Sequence, residues 1–168
     1  MSNERSKTAL IDRIGSSIPA TQNATQDVDA AAAAALGVNL TDLRCLGILL
    51  YRENIPANEL AVNLRLSRGA VTALLDRLAK AGLAERRDDP NDRRGVLVAA
   101  TPYAQKRIKK IWGPIQAEGK KILSAYSEED LRVIGKFLGQ VRTLQMKHAE
   151  RIRAAVSPSK ARKRLRQQ

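Results

Sequence analysis

The segment 57–78 constrains the fold more than any other, because its apolar residues mark two short helices joined by a tight turn. Ser67 is a favourable N-cap for the second helix, where its hydroxyl can accept a hydrogen bond from a free backbone amide. Ala61 is small enough to stand where two steeply crossed helices touch. The apolar residues of the two inner faces are Leu60, Leu64, Leu66, Val71 and Leu74. This layout is typical of a helix-turn-helix.

The second helix carries short and polar side chains opposite its apolar face, at Gly69, Thr72, Ala73, Asp76 and Lys80. Ser67 and Arg68 lie at its N-terminus, where unpaired amides and the helix dipole favour phosphate. In a helix-turn-helix, this end of the second helix enters the major groove of DNA. We therefore predict that Arg68 pairs with a guanine, that Thr72 contacts a thymine methyl or a phosphate, and that Arg77 contacts a phosphate from the flank.

A two-stranded hairpin is predicted directly after the helix pair. Gly82 ends the second helix, and the helical period then gives way to alternation at 96–99. Pro90-Asn91-Asp92 is a turn sequence. The predicted strands are Ala84–Arg87 and Gly95–Ala99.

Further helices are predicted before the helix pair. The stretch Glu4–Leu36 has helical apolar spacing, but Pro19 is expected to break or kink it because proline removes an amide donor and clashes with the preceding turn. Gly37 is a plausible C-cap and Thr41 a plausible N-cap for the next helix. Pro56 is expected at the first position of the helix that reaches Leu64.

Two helices are also predicted after the hairpin. Thr101 and Pro102 form an N-cap followed by a first-turn proline, and Ser127 with Asp130 resembles a capping box. The last helix carries an apolar 3-4 spacing at Leu131, Ile134, Leu138 and Val141. We expect a disordered basic tail after Val156.

The charge of the chain favours a polyanionic partner. The formal net charge is +13, and the segment 151–168 contributes +7 of it without any acidic residue. Nucleic acid and an anionic membrane face both fit that charge. No secretory signal is visible, and the apolar stretch Ala30–Leu36 is too short to span a bilayer. A cytoplasmic protein that does not bind membranes is expected.

An enzyme is the less favoured class. The chain has a single cysteine and a single histidine, which exclude an internal disulfide and give no metal-ligand spacing. We find no carboxylate pair in an apolar setting, no Ser-His or Cys-His arrangement and no glycine-rich phosphate loop. No catalytic residue, metal or cofactor is therefore predicted.

From about Leu40 to Thr101 the chain resembles the MarR family of bacterial regulators. The residues that carry the resemblance are Leu60-Ala61, Leu66-Ser67-Arg68, Val71-Thr72, Leu75-Asp76-Arg77-Leu78, Gly82-Leu83-Ala84-Glu85-Arg86, Asp89-Pro90-Asn91-Asp92-Arg93-Arg94 and Val96-Leu97-Val98. The resemblance implies that Arg94 enters the minor groove and that Asp92 orients it, which suits the concentrated negative potential there. It also implies a dimer formed by the N- and C-terminal helices, and an effector pocket between the dimer and the DNA-binding lobe.

The sequence departs from the family pattern at the turn and on the recognition helix. Arg65 stands where glycine is usual, which predicts a mildly strained left-handed conformation. Gly69 and Ala70 replace polar residues that are common there, so fewer side chains can contact bases. We expect the sequence preference to depend more on Arg68, Arg94 and DNA shape.

Several residues allow two interpretations. Cys45 lies among leucines, which favours core packing over redox sensing. Tyr51 and Trp112 are candidate core or interface anchors, and with Cys45 they are also candidate walls of a pocket for an aromatic or phenolic effector. For His148, packing at the dimer interface is the favoured interpretation over pH sensing. The basic tail is either solvated or an arm that contacts phosphates.

The sequence thus predicts a mainly α-helical winged helix-turn-helix protein with a small antiparallel β-wing. The predicted regions are N-terminal dimerisation helices at 1–40, a DNA-binding domain at 41–100, C-terminal dimerisation helices at 101–156, and a basic tail at 157–168. The predicted contacts to double-stranded DNA are Ser67, Arg68, Gly69, Thr72, Arg77, Arg86, Asp92, Arg93 and Arg94.

The predicted function is a homodimeric, sequence-specific transcription regulator, most simply a repressor, that binds a pseudo-palindromic operator. The alternative is an architectural or nucleoid protein that coats DNA with little sequence preference.

Overall fold

The computed structural model describes residues 2–90 and 92–156, with the side chains of 2–5, 89 and 92–94 outside that description. The fold is mainly helical with one small sheet. In chain order the elements are α1 (Ser2–Leu36), α2 (Leu40–Tyr51), β1 (Ile55–Pro56), α3 (Ala57–Leu64), α4 (Arg68–Lys80), β2 (Ala84–Asp89), β3 (Asp92–Ala100), α5 (Pro102–Leu123) and α6 (Glu128–Val156). The chain forms two compact units, Met1–Pro114 and Ile115–Gln168.

The first unit is built around one aliphatic core. The core joins the end of α1, α2, α3, α4, the sheet and the start of α5. Its fully buried large side chains include Leu46, Leu49, Ile55, Leu60, Leu74, Leu78, Leu83 and Val98. Burying one such side chain contributes about 1.5–3 kcal/mol, so this cluster is the main source of stability of the unit.

The sheet has the strand order β1-β3-β2, and both pairings are antiparallel. The predicted hairpin is confirmed, and its strands run further towards the turn than the alternation indicated. A β-bulge lies between Asp88 and Asp89. Strand β1, in which Ile55 pairs with Val98 and Pro56 with Leu97, was not predicted. A two-residue strand has no alternation to recognise, and proline is tolerated there because β1 is an edge strand.

The helix ends are mostly those that the sequence predicted. Gly37 and Gly82 have positive φ angles of 72° and 68°, and both close Schellman-type turns in which the following residue bonds back to the helix. Two start positions were wrong. Asn39, rather than Thr41, caps α2, because its side chain accepts from the amide of Asp42 at 2.8 Å. Pro56 is the N-cap of α3 and not its first residue.

The break expected at Pro19 is absent, since α1 is one helix from Ser2 to Leu36. Pro19 removes a single amide donor, the one that would bond to the carbonyl of Gly15, and the hydroxyls of the surrounding turns donate to other carbonyls. Ser17 donates to the carbonyl of Arg13, and Thr21 donates to the carbonyl of Ser17, each at 2.8 Å. The prediction of two separate N-terminal helices is therefore wrong.

No helix in the described part of the chain is by itself long and apolar enough to cross a membrane. Two stretches reach that length and apolar character only when they are taken together, Ser6–Leu36 and Leu40–Tyr51. The chain bends by 90° at their junction. The apolar side of the second stretch, which includes Leu43, Leu46 and Leu49, is buried in the protein core.

The second unit contains the end of α5 and all of α6. Ser127 caps α6 as predicted: its hydroxyl accepts from the amide of Asp130 at 3.1 Å and donates to the carboxylate of Asp130 at 2.6 Å. No residue of α6 is fully buried. The large apolar residues exposed along it are Val133, Phe137, Leu138, Leu144, Met146, Ile152 and Val156. The predicted basic tail lies outside the described residues.

Candidate nucleic-acid interface

The helix-turn-helix is formed by α3, α4 and the turn Arg65–Ser67. Arg65 ends α3 in the left-handed conformation, with φ 57° and ψ 44°, as the sequence predicted. The amide of Leu66 then donates to the carbonyl of Ala61 at 3.0 Å. Ser67 caps α4 by accepting from the amide of Ala70 at 3.3 Å. The turn is thus closed at both ends by local hydrogen bonds.

Helix α4 divides into a buried face and an exposed face. The buried residues are Val71, Leu74, Leu75 and Leu78. The exposed residues include Arg68, Gly69, Thr72, Ala73, Asp76 and Lys80. The predicted orientation of Arg68 and Thr72 away from the core is therefore confirmed. Whether these residues contact bases stays a prediction.

The N-terminal end of α4 is electropositive and open. Within the described residues, no carboxylate forms an ion pair with Arg68, so its charge is free for a ligand. The hydroxyl of Thr72 donates to the carbonyl of Arg68 at 3.1 Å. That bond occupies the hydroxyl proton and leaves the oxygen lone pairs and the methyl group for contacts. Gly69 leaves the surface open, since a Cβ built there would meet no atom within 4 Å.

Arg77 has a protein partner that the sequence did not reveal. Its Nε and Nη2 donate to the two carboxylate oxygens of Asp42 at 3.1 and 2.6 Å. Its Nη1 donates to the carbonyl of Ala73 at 3.3 Å. The hydrogen bond to Asp42 raises the pKa of Arg77 above its ordinary value. The phosphate contact predicted for Arg77 stays a prediction, although its charge is compensated inside the protein.

Among the residues that the structure describes, one charged residue is buried: Asp42, with 2% of its surface exposed. Sequence reasoning missed it as a functional candidate. The available signal was a lone carboxylate in the first turn of α2, in a run that is otherwise rich in leucine.

Arg86 also has an acidic partner. Its Nη2 lies 2.7 Å from Oδ1 of Asp76, and both side chains are exposed. This ion pair joins β2 to the outer face of α4. An exposed pair of this kind contributes little stability, so Arg86 can exchange Asp76 for a phosphate at low cost. Its DNA contact stays a prediction.

The base of the wing is held by a second polar group. Arg87 forms an ion pair with Glu85, and its Nη1 donates to the side chain of Asn54 at 3.0 Å. Asn54 itself has a positive φ of 56°. At the tip, the backbone of 92–94 belongs to β3, but the side chains of Asp92, Arg93 and Arg94 lie outside the described residues.

A solvent-open groove of about 760 Å³ runs beside the recognition helix. It is lined by Ala30, Ala33, Ala34, Val38, Asn39, Leu40, Thr41, Leu66, Ala70, Ala73, Leu74 and Arg77. The lining combines the end of α1, the start of α2 and the outer part of α4. The groove is mainly apolar, with polar groups at Asn39, Thr41 and Arg77.

The residues predicted to wall an effector pocket do not line this groove. Cys45 is fully buried, whereas Tyr51 is 90% exposed and Trp112 packs half-buried against the core. Burial, reinforced by the charge of Asp42, raises the pKa of Cys45 to about 12. The thiol is therefore protonated at neutral pH and has little nucleophilic character. The pocket prediction for these three residues gains no support from their positions.

Comparison with known proteins places this geometry in a family. Residues 38–96 match the family model described as MarR family. The chain is 39% identical over 123 residues to the HTH-type transcriptional regulator YcgE of Bacillus subtilis, covering 73% of this chain and 80% of YcgE.

Solved structures show the same fold. The MarR family transcription regulator SP03579 has a TM-score of 0.61 at 22% identity, over 85% of this chain and 97% of that one. A mutant of S. aureus MepR bound to an oligodeoxyribonucleotide has a TM-score of 0.55 at 17% identity, over 79% of this chain and 97% of that one. The solved structures share the fold, and the family-model match with the similarity to YcgE identifies the chain as a member of the MarR family of winged-helix, DNA-binding transcriptional regulators.

Proposed function

We propose that the protein binds a pseudo-palindromic operator as a homodimer and represses transcription from it. The observation that carries this proposal is the outer end of α4, where Arg68 and Thr72 are exposed and Arg68 has no acidic partner in the described residues. The guanidinium of Arg68 can pair with O6 and N7 of a guanine in the major groove. Arg86 and the wing residues Arg93 and Arg94 would contact the backbone and the minor groove.

The dimer is proposed because two helices have apolar faces without a partner. In α1, Leu10, Ile11 and Ile14 are each about half exposed. In α6, exposed apolar residues continue from Val133 to Val156. Continuous apolar surface of this kind is uncommon on a monomer and typical of an interface. A second copy would bury both faces and place two recognition helices roughly one DNA turn, ~34 Å, apart.

The proposal includes release by a small aromatic or phenolic effector in the cytoplasm. The groove beside α4 supports a ligand of this type, because it is mainly apolar and has a few polar groups at its edge. A ligand between the end of α1 and α4 would alter the position of the recognition helix.

Selection of DNA fragments from the whole genome tests this function, with the wild type compared with Arg68→Ala and Arg94→Ala. The wild type is expected to enrich a short palindrome, and both variants are expected to lose it while they keep helical content and dimer mass. Matched controls are Arg52→Ala and Arg132→Ala, which remove an arginine that pairs with Glu59 or Glu128 and that belongs to neither α4 nor the β2–β3 hairpin. Unchanged enrichment by both test variants would contradict the assignment.

An architectural DNA-binding protein is the second candidate, and the net charge of +13 favours it. Binding by charge alone is independent of sequence and falls steeply with salt. Footprinting separates the two functions, because a regulator protects a short palindrome whereas an architectural protein coats the duplex evenly.

A further inference from the structure

We propose that the ion pair between Asp42 and Arg77 sets the orientation of the recognition helix, and that Arg77 acts on DNA affinity through Asp42 rather than through a phosphate. The inference rests on the proposed function. It assigns Arg77 and Asp42 as positioning residues of the DNA-binding site.

The geometry of the pair is directional. Nε and Nη2 of Arg77 meet the two oxygens of one carboxylate, which is the parallel two-bond arrangement that fixes both distance and plane. The third guanidinium nitrogen is held by the carbonyl of Ala73 on the same helix. All three nitrogens of the group therefore have a partner within the protein.

The burial is asymmetric. The side chain of Asp42 is 3% exposed, and that of Arg77 is 51% exposed. A buried carboxylate without a counter-ion is costly, so Asp42 requires Arg77 to stay in place. An arginine that moved to a phosphate would leave that carboxylate uncompensated. This requirement argues against a phosphate contact by Arg77.

The pair also joins α2 to α4 through polar groups, in addition to the aliphatic packing that the two helices share. Asp42 is fixed in the first turn of α2, where its amide donates to Asn39. Helix α4 contacts the core through aliphatic side chains, which determine the face that it buries but are non-directional, whereas the two-bond ion pair fixes a distance and a plane. Arg68 lies nine residues before Arg77, which is about 13 Å along the helix. A small change in the tilt of α4 at Arg77 therefore displaces Arg68 from a base edge.

The test compares Asp42→Asn, Arg77→Lys and Arg77→Gln with the wild type. The matched control is Glu59→Gln, which removes the carboxylate from an exposed arginine pair, Arg52–Glu59, that includes no residue of α4. The probe is the duplex that the wild-type dimer selects from a random-sequence pool. Binding is measured by fluorescence anisotropy at several salt concentrations, together with an unselected duplex of the same length.

A positioning role predicts that all three variants bind the selected duplex about tenfold or more weakly, whereas Glu59→Gln stays within about twofold. Affinity for the unselected duplex and the slope of log K against log salt are expected to stay as in the wild type. Circular dichroism and thermal melting confirm folding, and Arg77→Lys keeps the charge and one donor if Asp42→Asn proves unstable.

A phosphate contact predicts opposite results. Asp42→Asn would then release Arg77 and strengthen binding, Arg77→Lys would bind as the wild type, and Arg77→Gln would reduce the salt slope by about 1 per subunit. That pattern would overturn the inference and leave the proposed function intact. If the wild type selects no duplex at all, the proposed function fails, and the inference fails with it.

Discussion

Helices α4 and α6 both carry a regular apolar stripe, but they use it differently. In α4 the stripe is buried within one subunit, at Val71, Leu74, Leu75 and Leu78. In α6 no residue is fully buried, and Leu138 is 59% exposed. A stripe of this regularity is maintained in soluble proteins only where something covers it. The comparison indicates that one chain is sufficient to form the core of the DNA-binding lobe, whereas the apolar stripe of α6 stays exposed in a single chain, which is the basis of the proposed dimer.

The largest change in stability is expected for a substitution in the DNA-binding lobe, whose core one chain forms by itself. Leu78 is fully buried, so Leu78→Ala should lower the free energy of unfolding by about 2–5 kcal/mol through lost contacts and a cavity. Urea unfolding at two protein concentrations measures this loss. The exposed Val62→Ala serves as the control and should change stability by less than about 0.5 kcal/mol. Equal effects of the two substitutions would show that α4 does not pack as described.

The second prediction concerns dimerisation through the exposed apolar stripe of α6. Leu138→Glu places a charge on the exposed stripe and should weaken dimerisation by about 2 kcal/mol or more, which is roughly 30-fold in dissociation constant. Analytical ultracentrifugation over a dilution series measures the change. Gln140→Glu adds the same charge at another exposed position of α6 and should leave the dimer intact. Identical dissociation constants for both variants and the wild type would contradict the assignment of this stripe to a dimer interface.

The dependence of stability on pH tests whether Cys45 is buried in the core. The thiol is neutral and buried in the core, and its pKa rises from 9.0 to about 12 on folding. The unfolded chain ionises first, so the stabilisation is complete below pH 9 and is lost as pH rises from 9 towards 12. The loss is about 1.4 kcal/mol per pH unit in that window.

The measurement for Cys45 is the difference in unfolding free energy between the wild type and Cys45→Ala. Other groups titrate in both proteins and cancel in that difference. The stability advantage of the wild type should shrink by about 2 kcal/mol between pH 9 and 10.5. A difference that stays constant with pH would show that the thiol is not in a desolvated core.

The smallest change in stability is expected for a substitution on the exposed face of α4. Gly69 is the second residue of α4, and an added Cβ meets no atom within 4 Å. Gly69→Ala should therefore stabilise the protein by up to about 0.5 kcal/mol, less than the full value for a helix interior. Gly82→Ala is the opposite case, because the positive φ of 68° disfavours a side chain there. Thermal melting of both variants checks the two signs, and a destabilising Gly69→Ala would mean that the face is not open.

Features fixed by neighbouring residues could be predicted from the sequence. The cap at Ser67, the left-handed Arg65 and the turns at Gly37 and Gly82 each depend on a few consecutive residues, and the structure has them as expected. The error at Pro19 was also local, because a proline inside a helix removes only one amide donor, and α1 continues through it from Ser2 to Leu36.

Features that join distant parts of the chain could not be predicted. The bond between Asp42 and Arg77 links residues 35 positions apart, and no spacing rule connects them. Strand β1 depends on pairing with residues more than 40 positions away. The outward orientation of Arg68 was predictable because helical periodicity determines it, but the pairing of Arg77 with Asp42 required the fold.

The most direct measurement is chemical protection of guanine N7 with dimethyl sulfate on the selected duplex. One protected guanine is expected in each half-site, the two separated by about one helical turn. Arg68→Ala should restore methylation at both guanines while the duplex remains bound at low salt. If the wild type protects no guanine, or if Arg68→Ala leaves the same guanines protected, the outer end of α4 is not the element that reads DNA.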